Sequence, residues 1–376
     1  MRFYFSYIIL LVYPLLTACE NNSNSKDTPV ILDDSYYTDL YNFDQTANLG
    51  RGINMGNFLE SPVAAGGEGA WVNGTGYPIQ QHFFTEIKNA GFKTVRIPIR
   101  WSDYTGDTAP YEIDTTFLNR VKTVADWALD EDLIVVINVH HYVEMMDSDD
   151  PHDLSYHKTR LHNIWDQICE VFTVNRYPVD SLYFELLNEP NDRVTYDEWN
   201  GIIADLTFLI RSTEGQMNRK IVIGTANWGG VQGLQKLKLP AECNNSNTII
   251  TYHYYEPFHF THQGASWVDG SDDWLGTSWT GTSAQQQKVT DHFDDVVAWN
   301  NDNGNYQLWM GEFGALSQTT ENDQQRAWTA FVAREAESRG IAWAYWEFCA
   351  GFGAYNRITG QWREYLLAGP LIPVSK

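Results

Sequence analysis

From Leu49 onward the chain alternates short apolar runs of strand length with stretches of helical spacing, eight times over and without an internal linker. Such alternation demands parallel strands joined by crossover helices. Strands are expected near Gly52–Asn57, Lys93–Ile99, Leu133–His140, Leu182–Asn191, Lys220–Gly224, Thr248–Tyr254, Gln307–Ala315 and Ile341–Phe348. Eight units fit an α/β fold of the (β/α)8 TIM barrel type, a single domain of about 250 residues or more. A doubly wound open sheet competes, but it calls for a Gly-rich phosphate loop after the first strand. Gly52–Asn57 lacks that spacing.

The fourth run, Leu182–Asn191, reads Leu-Tyr-Phe-Glu-Leu-Leu-Asn-Glu-Pro-Asn and delivers Glu189 just before Pro190. Proline has no amide for a strand ladder, so the strand is expected to stop there. The seventh run delivers Glu312 between two glycines. Active sites of such barrels sit at the carboxyl ends of the strands. Two carboxylates placed there suit glycoside hydrolysis, in which one carries a proton for the leaving oxygen and the other stays ionised.

The remaining strand ends are polar where packing gives no reason for it. Arg96 lies inside the apolar second run and needs a carboxylate partner, for which Glu312 is the candidate. Asn138 and His140 share one face at the end of the third strand, and His253 and Tyr255 share one at the end of the sixth. Asn188, Asn227, Trp228 and Trp346 complete a set of candidate sugar contacts, Trp346 as the floor under the sugar. Trp71, Trp101, Trp267, Trp274 and Trp279 fall in loops and are candidate stacking platforms along a groove. No His-x-His or His-Glu-x-x-His spacing occurs, so neither a metal nor another cofactor is expected.

The net charge of −23 and the lack of a basic run exclude a nucleic-acid partner, because phosphate binding needs clustered Lys and Arg. A load of 15 Trp and 21 Tyr suits a glycan ligand, and a monomer is expected. Residues 1–19 read as a signal peptide: Arg2, an apolar run Tyr7–Leu16, then Leu16-Thr17-Ala18-Cys19. That ending resembles a bacterial lipobox, which implies lipidation at Cys19 and a membrane contact through the lipid alone. The protein would then be exported and lipid-anchored in the cell envelope. Residues 20–40 form a flexible tether and lead-in, and residues 41–376 the catalytic domain. Cys169, Cys243 and Cys349 are odd in number and read as mostly isolated thiols, with room for one disulfide.

These residues together resemble glycoside hydrolase family 5, the cellulase-containing family of retaining (β/α)8 enzymes. The resemblance runs from Leu49 to Pro370 and rests on Gly52–Asn57, Val95-Arg96-Ile97-Pro98, Asn138-Val139-His140-His141, Leu187-Asn188-Glu189-Pro190, His253-Tyr254-Tyr255 and Gly311-Glu312-Phe313-Gly314. It implies Glu189 as acid/base and Glu312 as nucleophile, surrounded by Arg96, His140, Asn188, His253, Tyr255 and Trp346. The stretch Tyr255–Trp267 is similar to the strand-six loop of certain bacterial endoglucanases, which implies internal cleavage of β-1,4-linked or mixed-linkage glucan. Mannan, xyloglucan and β-1,3-glucan stand behind. Glu347-Phe348-Cys349 after Trp346 departs from the polar continuation common in the family's cellulases. The rival class is a surface glycan-binding lipoprotein on an inactive barrel, which would have no use for two carboxylates, an Arg and a Tyr in register.

Overall fold

The computed structural model describes residues 32–38, 43 and 49–374 except 73 and 75. The expected signal peptide with Cys19, and most of the tether, lie outside the described residues.

Eight parallel strands close into one barrel in sequence order. They are β1 (Arg51–Asn54), β2 (Thr94–Ile97), β3 (Ile134–Asn138), β4 (Leu182–Glu185), β5 (Ile221–Ile223), β6 (Thr248–Tyr254), β7 (Gln307–Phe313) and β8 (Ala342–Tyr345), with β8 pairing back onto β1. The expected strands are all present, most of them shorter than their apolar runs. Amphipathic helices such as Thr115–Asp130 and Tyr196–Ser212 cross over between strands, whereas the β5-to-β6 crossover holds only a 3-10 turn, Val231–Lys236.

Local chemistry sets these boundaries. The helix His82–Ala90 stops at Gly91, whose φ of 102° only glycine adopts cheaply. The Asp114 carboxylate caps Thr115–Asp130 by accepting the Phe117 amide, and Thr195 caps Tyr196–Ser212 through Glu198. The core has two parts. One lies between strands and helices, and a smaller one fills the barrel with Val136, Tyr183, Val222, Ile249, Trp309 and Ala344. This inner plug packs the barrel interior, and barrels of this type carry their chemistry at the carboxyl ends of the strands.

Two expectations need correction. β4 ends at Glu185, well before Pro190: Leu186 N makes the last ladder bond, to Val222 O at 3.2 Å, and the backbone then departs, with Asn188 N bonding Val139 O just past the end of β3 at 2.9 Å. Trp101 and Trp279 line no groove; both are 0% exposed, and the Trp101 indole donates to Asn138 O at 2.9 Å. Cys169, Cys243 and Cys349 are buried free thiols.

Candidate active site

Arg96 stands at the centre of the barrel mouth, 0% exposed. Its Nη1 donates to Glu312 Oε1 at 2.6 Å and to Asn54 Oδ1 at 2.9 Å. The expected Arg96–Glu312 pair is therefore present, but it is not the larger contact. Nε and Nη2 grip Glu185 at 2.6 and 2.8 Å, and Nη2 also donates to Asn188 Oδ1 at 2.8 Å. Burial alone would pull the guanidinium down, yet Glu185 and Glu312 outweigh it and hold it charged. Sequence reading missed Glu185. The signal was there, a carboxylate in an otherwise apolar strand.

Glu312 reaches the site through a bulge. Trp309 faces the barrel interior and Met310 the outer core. Strict alternation would send Glu312 outward. Instead the register with β6 slips after Met310, so that Tyr252 pairs with Met310 but His253 with Glu312. The extra residue is Gly311, where a Cβ would come within 2.6 Å of Thr251 Oγ1. The slip turns Glu312 inward, and its second oxygen accepts from Tyr255 OH at 2.8 Å. Burial and the Glu312 charge push the Tyr255 hydroxyl far above its usual range, so it remains a donor.

Glu189 sits in left-handed backbone, φ 44°, its side chain 23% exposed. His253 Nδ1 lies 2.7 Å from Glu189 Oε1 and 3.6 Å from Glu312 Oε2. Burial disfavours the imidazolium, but Glu312 and Glu189 outweigh it and raise the His253 pKa. Ligand atoms of Glu189, His253 and Glu312 all lie within 4.8 Å of one another. Three such groups can hold a cation in general. Here they already bond to each other, to Arg96 and to Tyr255, and the guanidinium beside Glu312 opposes a second positive charge.

His140 and Trp346 stack at 5.7 Å with planes 8° apart. Burial, with His141 and Arg96 nearby, drives the His140 pKa well below the usual value, leaving a neutral ring. Gly56 makes room for Trp346: a Cβ there would meet its ring at 2.9 Å. Asn227 and Trp228 border the site on exposed left-handed backbone, both at φ 64°. Around the rim, Trp71 is edge-on to His141 at 5.5 Å, while Trp267, 58% exposed, lies 6.2 Å from Phe352. Trp274 stacks on His259 at 4.2 Å.

Two further buried acids went unnoticed in the sequence as parts of this site. Glu347 accepts the amides of Cys349, Ala350 and Phe352, tying down the turn after Trp346. Glu60 accepts those of Asn57 and Phe58 beside Gly56. Burial pushes Glu347 up to about 7 and Glu60 up to about 8, against those backbone bonds.

A barrel whose mouth holds two close carboxylates, each oriented by its own donor and flanked by an aromatic floor, defines a glycoside hydrolase. The particular family follows from comparison: the cellulase model, glycosyl hydrolase family 5, matches residues 56–351, and the chain belongs to that family. It is 32% identical over 305 residues to endoglucanase H of Acetivibrio thermocellus, covering 81% of this chain but only 30% of that one. Thermotoga maritima Cel5A in complex with mannotriose superposes with a TM-score of 0.78 at 42% identity, over 86% of this chain and 97% of that one. The same enzyme with cellobiose gives 0.79 at 43%, over 88% and 99%.

Proposed function

We propose that the protein is a retaining endo-β-1,4-glucanase in which Glu312 is the nucleophile and Glu189 the acid/base. The observation that carries the reading is the closeness of the two acids, with ligand atoms within 4.8 Å. Retention needs carboxyl groups about 5–5.5 Å apart, whereas inversion needs roughly 6.5–9.5 Å to seat a water between them. Glu312 attacks the anomeric carbon while Glu189 gives its proton to the leaving oxygen. Glu189, now ionised, then takes a proton from the water that releases the sugar from Glu312. Arg96 and Tyr255 each donate to one Glu312 oxygen, which aims the carboxylate. Asn188 presents its Oδ1 to Arg96, so its amide NH2 is left to meet a sugar hydroxyl.

Endo action on unsubstituted glucan is supported by the rim tryptophans Trp71 and Trp267, which suit an open groove, and by the relatives named endoglucanase. The Cel5A complex with mannotriose brings β-mannan into the test as a second substrate. The test is an NMR time course on β-glucan with a parallel rate panel. β-Anomer appearing first is expected; α-anomer first overturns retention. Mannan or β-1,3-glucan turning over at least about tenfold faster than carboxymethyl-cellulose and mixed-linkage glucan overturns the substrate. Binding without any release of reducing ends overturns the enzyme.

The lipobox-like Leu16-Thr17-Ala18-Cys19 supports anchoring of the mature protein through a lipid on Cys19. Cys19→Ser is expected to move the protein from the membrane to the soluble fraction. A variant that still pellets with membranes overturns the anchor.

A further inference from the structure

Arginine carries five N–H donors in a fixed fork, and in Arg96 all five are spent. Nε and one hydrogen of Nη2 go to Glu185, at 2.6 and 2.8 Å. The other Nη2 hydrogen goes to Asn188 Oδ1 at 2.8 Å. The two on Nη1 go to Asn54 Oδ1 at 2.9 Å and Glu312 Oε1 at 2.6 Å. The two-pronged grip therefore falls on Glu185, which is 1% exposed and lies in β4. Glu312 receives one N–H only.

We propose that Glu185 is a positioning residue for catalysis: by occupying the fork of Arg96 and sharing its charge, it keeps Glu312 from collapsing into a two-pronged ion pair.

Two consequences follow for the chemistry. Arg–carboxylate pairs favour the parallel two-bond geometry. With Glu185 gone, the guanidinium would turn that geometry onto Glu312, pulling its oxygens away from Tyr255 and from an anomeric carbon. The charge would shift as well. Glu312 meets Arg96 from β2, and His253 and Tyr255 from β6 and its end, while Glu185 on β4 reaches it through Arg96, Glu189 through His253, and His140 at the end of β3 lies beside Arg96. Of these only Glu185 is bound to Arg96 as a second carboxylate. Without it the whole guanidinium charge acts on Glu312, and a carboxylate held by an uncompensated Arg is a weaker base. Asn188 would lose its fixed orientation too, because the same Nη2 serves Glu185 and Asn188.

The proposal rests on Glu312 being the nucleophile. That reading is checked separately on the wild-type protein, by trapping with a 2-deoxy-2-fluoro cellobioside and peptide mapping. A label on any residue other than Glu312 removes that reading and the proposal with it. With Glu312 labelled, the test is the pH dependence of kcat and KM for 2,4-dinitrophenyl β-cellobioside in Glu185→Gln, Glu185→Asp and both combined with Arg96→Lys. Glu185→Gln keeps the shape and removes the charge. Its kcat is expected to fall about 100-fold, the scale of a misplaced reacting group, with KM within a few-fold of wild type. The acidic limb of kcat/KM is expected to move down by about one pH unit. Glu185→Asp keeps the charge, so its limb stays in place while kcat falls less. On Arg96→Lys, Glu185→Gln is expected to add little, because it acts through the fork. Wild-type kcat and limb in Glu185→Gln, or losses that multiply independently on Arg96→Lys, overturn the proposal. Should Glu185→Gln fail to fold, Glu185→Asp decides: reduced kcat with an unmoved limb supports it, and wild-type kcat overturns it.

Discussion

His253 Nδ1 lies 2.7 Å from Glu189 Oε1, close enough for a direct hydrogen bond between the proposed acid/base and its histidine. The same nitrogen is 3.6 Å from Glu312 Oε2, so one imidazole faces both acids. Burial lowers its proton affinity, but Glu312 and Glu189 outweigh burial and raise the pKa above 6.5. A raised histidine contributes stability that is fully present below the unfolded value and is lost as pH rises through the folded one. The stability difference between wild type and His253→Gln should therefore shrink as pH climbs upward from 6.5. Thermal melts across that range check it; a constant difference contradicts the charge assignment.

Gly229 makes this contact possible. Its φ is 69°, and a Cβ there would lie 3.1 Å from His253 Nδ1 and 3.3 Å from Glu189 Cγ. Gly229→Ala should cost roughly 1–2 kcal/mol for the left-handed backbone alone. It should also displace the acid/base, lowering kcat by about 100-fold with a smaller effect on aryl glycosides that need no proton. Steady-state kinetics on cellotetraose and a dinitrophenyl glycoside measure the contrast.

Removing the proton donor itself should be graded by leaving group. Glu189→Ala is expected to lose roughly 10²–10⁴-fold on β-glucan, the usual range for general acid catalysis. It should keep forming the glycosyl-enzyme from dinitrophenyl cellobioside, and azide should accelerate turnover by yielding a β-azide. Glu312→Ala with azide should yield the α-azide. Chromatography of the azide products distinguishes the two roles, and exchanged anomers would exchange the roles.

The buried acid after the aromatic floor gives a second pH signature. Burial lifts Glu347 from 4.5 to about 7. Between those values the folded state binds more protons than the unfolded one, so stability falls as pH rises through the window. Glu347→Gln cannot ionise. It loses acceptor capacity towards the amides of Cys349, Ala350 and Phe352 at every pH, but it escapes that decline. Its Tm deficit should be largest near pH 5 and smaller near pH 8.

The tryptophans should separate by burial. Trp101→Ala removes a fully buried indole bonded to Asn138 O and should cost about 3–5 kcal/mol of stability. Trp267→Ala removes a ring that is 58% exposed. It should leave Tm within about 2 °C, given that surface changes stay near ±0.5 kcal/mol. Its effect should appear as a raised KM for long oligosaccharides.

Much of this molecule is written in local pattern. Short apolar runs and helical spacing are properties of neighbouring residues, so eight strands and most of their crossover helices could be read directly. The two site glutamates, His140, His253 and Tyr255 were legible because a polar group at the end of an apolar strand has few structural uses. What local pattern could not carry were contacts set by register and distance. Glu312 faces inward because of a slip between β6 and β7, and alternation alone would have turned it away. The Glu185–Arg96 grip joins residues 89 positions apart. Whether Trp101, Trp279 or Trp267 meets solvent depends on which loops fold over them. Sequence by itself determined the barrel and the kinds of group at its mouth, since both follow from side-chain periodicity. The closed barrel alone decided which of those groups touch, because only closure sets the spacing between strands far apart in the chain.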